Sequence, residues 1–225
     1  MTEDLERKVT ELYLHVKRLF LLAEETSPGF TDFLQPVFEL NRAFDHANRV
    51  KAVEFGLRDQ DEDLPSESIE AYKKDNYRKA IGHLYRAFFD TVDWLSMNLR
   101  EAIVSEFEGF SHESIQAVIP EYYSEVRPAV EKANQEIATL RAKKDVGNPG
   151  AVKLMEDYEK LVVDLRDRLK GLLAKKPGLI DYETRRARER SSDKRGRIFL
   201  AIVCAVGGAL IAIAGKAVIS GMMSP

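Results

Sequence analysis

The longest apolar run in the chain sets the strongest limit on how it can fold. Residues 198–219, IFLAIVCAVGGALIAIAGKAVI, hold a single charge, Lys216, in 22 positions. A helix rises about 1.5 Å per residue, so a run of this length covers the roughly 30 Å of a hydrocarbon core. Just before it, residues 185–197 read RRARERSSDKRGR, with seven Arg or Lys against Glu189 and Asp193. Short basic flanks stay on the cytoplasmic side of a membrane. Together the two segments predict a single-pass, tail-anchored membrane protein. Its N-terminal body lies in the cytoplasm, at the inner membrane in a bacterium, and residues 220–225 lie beyond the span.

Charge divides along the same line. Residues 181–225 carry eight basic and four acidic groups, so a total of −3 leaves residues 1–180 at −7. Arg185, Arg186, Arg188, Arg190, Lys194, Arg195 and Arg197 form a collar expected to face anionic lipid, the first partner the sequence implies. The acidic body argues against extensive nucleic-acid binding and leaves room for a local site. The one cysteine, Cys204, falls in the apolar run, so no disulfide framework or Cys-based metal site is expected. The first residues, MTEDLERK, lack the apolar stretch of a signal peptide, in keeping with a cytoplasmic body.

Apolar spacing reads as helix throughout. Leu5, Val9, Leu12, Val16, Leu19, Phe20 and Ala23 repeat at three and four residues, and Ser27-Pro28-Gly29 closes that segment. Phe33, Val37, Leu40, Phe44, Ala47 and Val50 form the expected inner stripe of a second helix. A third and longest segment, 69–107, places Tyr72, Tyr77, Ile81, Leu84, Phe88, Val92, Leu95, Leu99, Ile103 and Phe107 on one face, widened by Tyr85, Phe89 and Trp94. Pro128 is expected to bend or interrupt the helix that runs on to Lys144, and Lys175-Lys176-Pro177-Gly178 to close the helix that begins at Ala151. The fold class is all-α. A helical bundle of about five helices occupies residues 1–178, followed by a basic juxtamembrane linker over 179–197, the transmembrane helix 198–219 and a short tail.

Enzyme signals are sparse. No Gly-rich phosphate loop, HExxH or GxSxG occurs, and His15, His46, His83 and His112 show no metal-ligand spacing, so neither metal nor cofactor is expected. One pair stands apart. Within DNYRKAIGHLYRAFFDTVDW, Arg78 and His83 form an R-x4-H pair that resembles the signature of HEPN domains. The resemblance implies a helical module in which paired Arg and His from two protomers cleave RNA, with imidazole as acid or base and guanidinium steadying phosphate. Lys79 stands where that family favours a small polar residue. On the same helix Arg86, Asp90 and Asp93 form a polar strip. It is a buried network, an oligomer contact or a ligand pocket, or else a solvated face with an Arg86–Asp90 ion pair.

Inside the apolar run, Ala201, Ala205, Gly208, Ala212 and Gly215 repeat at 4, 3, 4, 3. Small residues on one seam let membrane helices pack closely, which predicts a homo-oligomer. Lys216, beside that seam, either snorkels to headgroups or forms a cationic ring at a pore mouth. This organisation resembles the small all-α one-span effectors of bacterial antiviral defence. It implies an oligomeric effector in which the cytosolic body senses a ligand or protein partner and gates an ion channel or membrane-perturbing bundle. Two alternatives are a tail-anchored adaptor or scaffold, and a membrane-tethered HEPN-like RNase.

Overall fold

The computed structural model describes residues 2–26, 33–57, 66–143 and 151–222, without the side chains at 66, 67, 151, 194 and 205–222. Among the described residues the chain is all-α. The helices are α1 (Thr2–Thr26), α2 (Leu34–Glu54), α3 (Ser66–Ser105), α4 (His112–Val118), α5 (Arg127–Ala142) and α6 (Ala151–Met222). The chain divides into two compact units. Residues 1–109 and 120–174 form the first; residues 110–119 and 175–225 form the second.

In the first unit α3 is the central element and packs chiefly against α1 and α2. Its expected stripe is buried from Tyr77 through Ile81, Leu84, Phe88, Val92, Leu95, Leu99 and Ile103, and Tyr85, Phe89 and Trp94 are buried too. Burial on so wide an arc lets one helix serve several partners. From α1 come Leu12, Val16, Leu19 and Ala23. Phe33, just before α2, sets its ring edge-on to both Phe20 and Trp94, with centroids 4.9 Å apart in each case. Such edge-to-face contacts place the positive rim of one ring on the negative face of another. Tyr158 of α6 meets Phe89 at 5.8 Å and donates its hydroxyl to the Ile137 carbonyl of α5.

Local chemistry explains the helix ends. Gly56, at φ +63°, follows α2. Its N–H bonds the Val53 carbonyl, while the Leu57 N–H reaches back to Ala52. This closure needs a left-handed residue, which glycine adopts without a Cβ clash. Pro128 stands in the first turn of α5 and does not interrupt it. A widened π-helical turn, Tyr122–Val126, leads directly into it.

The second unit joins α4 to the C-terminal part of α6. Ser111 caps α4 by accepting from the Ser114 N–H at 3.2 Å. Its own N–H and hydroxyl both donate to Glu183, at 3.2 and 3.0 Å. Hydrogen bonds from Ser114 and Ser111 hold the Glu183 carboxyl below its ordinary range. The sequence expectation that Pro177 closes the helix is not met, since α6 continues through it. Pro177 and Leu173, whose carbonyl loses its helical partner, both lie on the exposed face.

The membrane expectation requires correction. Among the described residues no helix is long and apolar enough to cross a membrane. The apolar run has described side chains only from Ile198 to Cys204, all exposed. Ala201 lies in that stretch; Ala205, Gly208, Ala212, Gly215 and Lys216 lie outside the described side chains, as does Lys194 of the collar. Arg186, expected to face lipid, instead donates to Glu113 and to the Ser111 hydroxyl. Arg185, Arg188, Arg190, Arg195 and Arg197 are exposed. The transmembrane helix, the tail anchor, the lipid partnership, the channel-forming homo-oligomer and the single-pass localisation all depended on that span and are withdrawn with it. The antiviral effector reading, the membrane adaptor and the tethering of an RNase depended on it as well.

Phe33→Ala removes the ring wedged between Phe20 and Trp94. It is expected to cost about 3–5 kcal/mol in urea unfolding, as for other buried Phe truncations. Emission from Trp94, the only tryptophan, is expected to shift to the red as water reaches the indole.

Candidate functional site

The polar centre of the first unit grows from one departure in α2. Its inner face carries Pro36, Glu39, Ala43 and Val50, so a carboxylate occupies a position that helical spacing assigns to the core. Glu39 is 2% exposed. An ion so placed must have its lone pairs filled, because desolvation disfavours the charge. Four donors do this, two on each oxygen. Oε1 accepts from Arg42 Nη1 at 2.9 Å and Gln35 Nε2 at 3.4 Å, one turn away on either side. Oε2 accepts from Arg86 Nε at 2.7 Å and lies 2.8 Å from His83 Nδ1, both on α3. Burial pushes the Glu39 carboxyl up, but hydrogen bonds from His83 and Arg86 outweigh it, and the group lies below its ordinary range.

Arg86 Nη2 also approaches His83 Nδ1, at 2.8 Å. The carboxylate can only accept and the guanidinium can only donate, so the two make opposite demands on that one nitrogen. His46 of α2 stacks on His83, with centroids 5.4 Å apart and planes inclined by 15°. Its Nδ1 is 2.9 Å from Asn76 Oδ1. The Asn76 amide is oriented by donation from Nδ2 to the Tyr72 carbonyl at 3.0 Å, so its oxygen faces His46 and Nδ1 must be the donor. Two stacked imidazoles thus each meet a buried acceptor at Nδ1. Both rings are partly exposed, and Arg42 and Arg86 reach solvent while sharing Glu39.

The other expected residues are distributed differently. Arg78 is exposed on α3, and Lys79 pairs with Asp75 at 2.7 Å. His83 therefore has Arg86, not Arg78, as its guanidinium neighbour. Along the strip Arg86, Asp90 and Asp93, Arg86 donates to Glu39 and Asp93 accepts from Arg141 Nε of α5 at 2.9 Å. Asp90 is half-buried between them along α3. His15 lies 3.3 Å from Glu159 and 2.9 Å from Arg18. His112 opens α4. Sequence reasoning missed Glu39, His46 and Asn76. The available signal was an acidic residue on the inner face of α2, opposite a helix carrying His-x-x-Arg.

The chemistry of the set is acid–base and anion-binding. A carboxylate orients one imidazole, an amide orients a second, and two guanidinium groups supply positive charge at the rim. Because the Glu39 carboxyl is lowered on folding, its stabilising effect is present above the unfolded value and is lost as pH falls through the folded one. Glu39→Gln is expected to lower stability by about 1–3 kcal/mol at neutral pH, in line with lost charge-assisted hydrogen bonds. The same variant should flatten the fall in stability below about pH 4.5, measured by urea unfolding across pH. No family model, curated protein or solved structure matches this chain.

Proposed function

We propose that the α2–α3 centre performs metal-independent acid–base chemistry on a phosphodiester of RNA type. The observation that carries this reading is the stacked His46–His83 pair, in which each ring meets a separate buried acceptor at Nδ1 and Arg86 adjoins His83. The HEPN resemblance pointed to the same helix and the same histidine. The geometry supports Arg86, rather than Arg78, as the guanidinium of the centre.

The steps follow from that placement. His83 Nε2 takes the proton of a ribose 2′-hydroxyl, and the freed 2′-oxygen attacks phosphorus. The bond from phosphorus to the 5′-oxygen breaks, and protonated His46 gives that oxygen its proton. Products are a 2′,3′-cyclic phosphate and a 5′-hydroxyl. Arg86 and Arg42 offset the charge that builds on the phosphoryl oxygens, with the planar donors suited to that group. Glu39 does not titrate in the cycle; it stabilises the imidazolium that forms at His83, as a triad carboxylate does.

The test uses the full chain and a fluorogenic single-stranded RNA in the presence of EDTA. Cleavage to cyclic phosphate ends is expected, because the imidazoles supply both proton transfers. His83→Gln is expected to lower kcat/KM by 10²-fold or more, the usual worth of a positioned acid or base, with an unchanged far-ultraviolet spectrum. A parent chain that yields no cyclic phosphate product overturns the reading, and the centre is then a clamp between α2 and α3.

A further inference from the structure

Past its contact with α4, the C-terminal part of α6 stands without cover. Arg186 ties the two helices together by donating to Glu113 and to the Ser111 hydroxyl. From residue 187 to residue 204, every residue whose side chain is described is exposed. Helices of the first unit bury one stripe, and this segment buries none. Over residues 187–197 there is no apolar stripe to bury, because only Ala187, Ser191, Ser192 and Gly196 lie between the charges.

Those charges are predominantly positive and unpaired. Arg185, Arg188, Arg190, Arg195 and Arg197 are exposed, and none is paired with a described carboxylate. Set against Glu189 and Asp193 they leave a net of +3, and residues 185–197 reach +5 once Arg186 and Lys194 are counted. A polyanion is therefore the complementary partner, and the arrangement selects among polyanions. A helix turns about 100° per residue, so Arg188 and Arg195 share one side and Arg190 and Arg197 the side roughly opposite. Within each row the two arginines stand about 10 Å apart along the axis. A helix that lies on a bilayer keeps its cations off the apolar face it buries, and here no such face exists. A folded acidic protein presents one surface and meets one row. A polynucleotide strand is flexible, carries a phosphate at every residue and can pass from one row to the other. Six of the seven cations are arginine, whose planar fork bonds two phosphate oxygens at once.

We propose that residues 185–197 of α6 form a docking site for the phosphodiester backbone of a polynucleotide strand, RNA or DNA, bound by charge and not by sequence. The site is separate from the acid–base centre and does not rest on that reading. Residues 1–180 stand at −7 and repel polyanions, so this segment supplies the local attraction that the acidic body lacks.

The experiment measures fluorescence anisotropy of a labelled single-stranded DNA with the full chain as salt is raised. DNA lacks the 2′-hydroxyl, so binding is read apart from cleavage, and the His83→Gln chain repeats the measurement with RNA of the same sequence. Five phosphate contacts are expected to give a slope of about −3 in log affinity against log salt, near −0.7 for each contact on a single strand. Arg190→Gln with Arg197→Gln is expected to reduce that slope by about 1.4 and to weaken binding roughly 10-fold or more at low salt. Both side chains are exposed, so the fold is unaffected, and a matching urea midpoint verifies that. Arg7→Gln with Arg49→Gln removes equal charge from arginines already paired with Glu11 and Asp45, and is expected to leave the slope unchanged. No binding at low salt, an unchanged slope in the Arg190 and Arg197 variant, or an equal loss in the Arg7 and Arg49 variant overturns the inference. Polyglutamate that displaces the strand as well as unlabelled DNA does also overturns it, since the partner is then an acidic protein segment. Binding to phosphatidylglycerol vesicles in place of strands overturns it in favour of a lipid surface, which the exposed apolar residues 198–204 would also meet. Strand binding by a chain that never cuts RNA keeps this site and removes the acid–base reading. RNA cutting by a chain whose affinity ignores Arg190 and Arg197 does the reverse.

Discussion

Glu39 remains ionised inside the α2–α3 seam because four donors fill its two oxygens, and much of the first unit follows from that requirement. Two of the donors come from α3, so α2 is held at a fixed rotation and a fixed height against it. A helix packed by apolar contacts alone tolerates small sliding, since dispersion has little direction. Hydrogen bonds from His83 and Arg86 do not. With α2 set in this way, His46 falls over His83, and Phe38 and Phe44 turn outward. The stacked imidazoles and the exposed rings are two consequences of one orientation.

That orientation explains what could be read from the sequence and what could not. The stripe of α3 was legible residue by residue, from Tyr77 to Ile103, because purely apolar packing repeats with the helix and nothing competes. In α2 the same rule misplaced Val37 and Phe44, which are exposed, and overlooked Glu39, which is buried. Counting apolar positions assumes that carboxylates face water. It fails where a second helix brings enough donors to make burial tolerable, and the donors were more than 40 residues away in sequence. His83 was legible as a candidate, but its partner was not, because a motif written along one helix cannot register an acceptor on another. The error over the C-terminal run has a different origin. Length and apolarity were read there as a span, and the described helix does not meet the requirement.

The chain supplies an internal control on how much a motif alone means. His15-x-x-Arg18 and His83-x-x-Arg86 have the same spacing, and each histidine lies near a glutamate of another helix. At His15 the closer neighbour of Nδ1 is Arg18, at 2.9 Å, while Glu159 stands off at 3.3 Å with its side chain 24% exposed. Water screens that pair and competes for both groups. At His83 the carboxylate is 3% exposed and 2.8 Å away, and a second, independently oriented imidazole lies on top. The same spacing thus produces a half-exposed contact in one place and a buried carboxylate beside two stacked imidazoles in the other. Burial of the acceptor makes the difference, since a desolvated carboxylate holds its donors more firmly than one that water can reach.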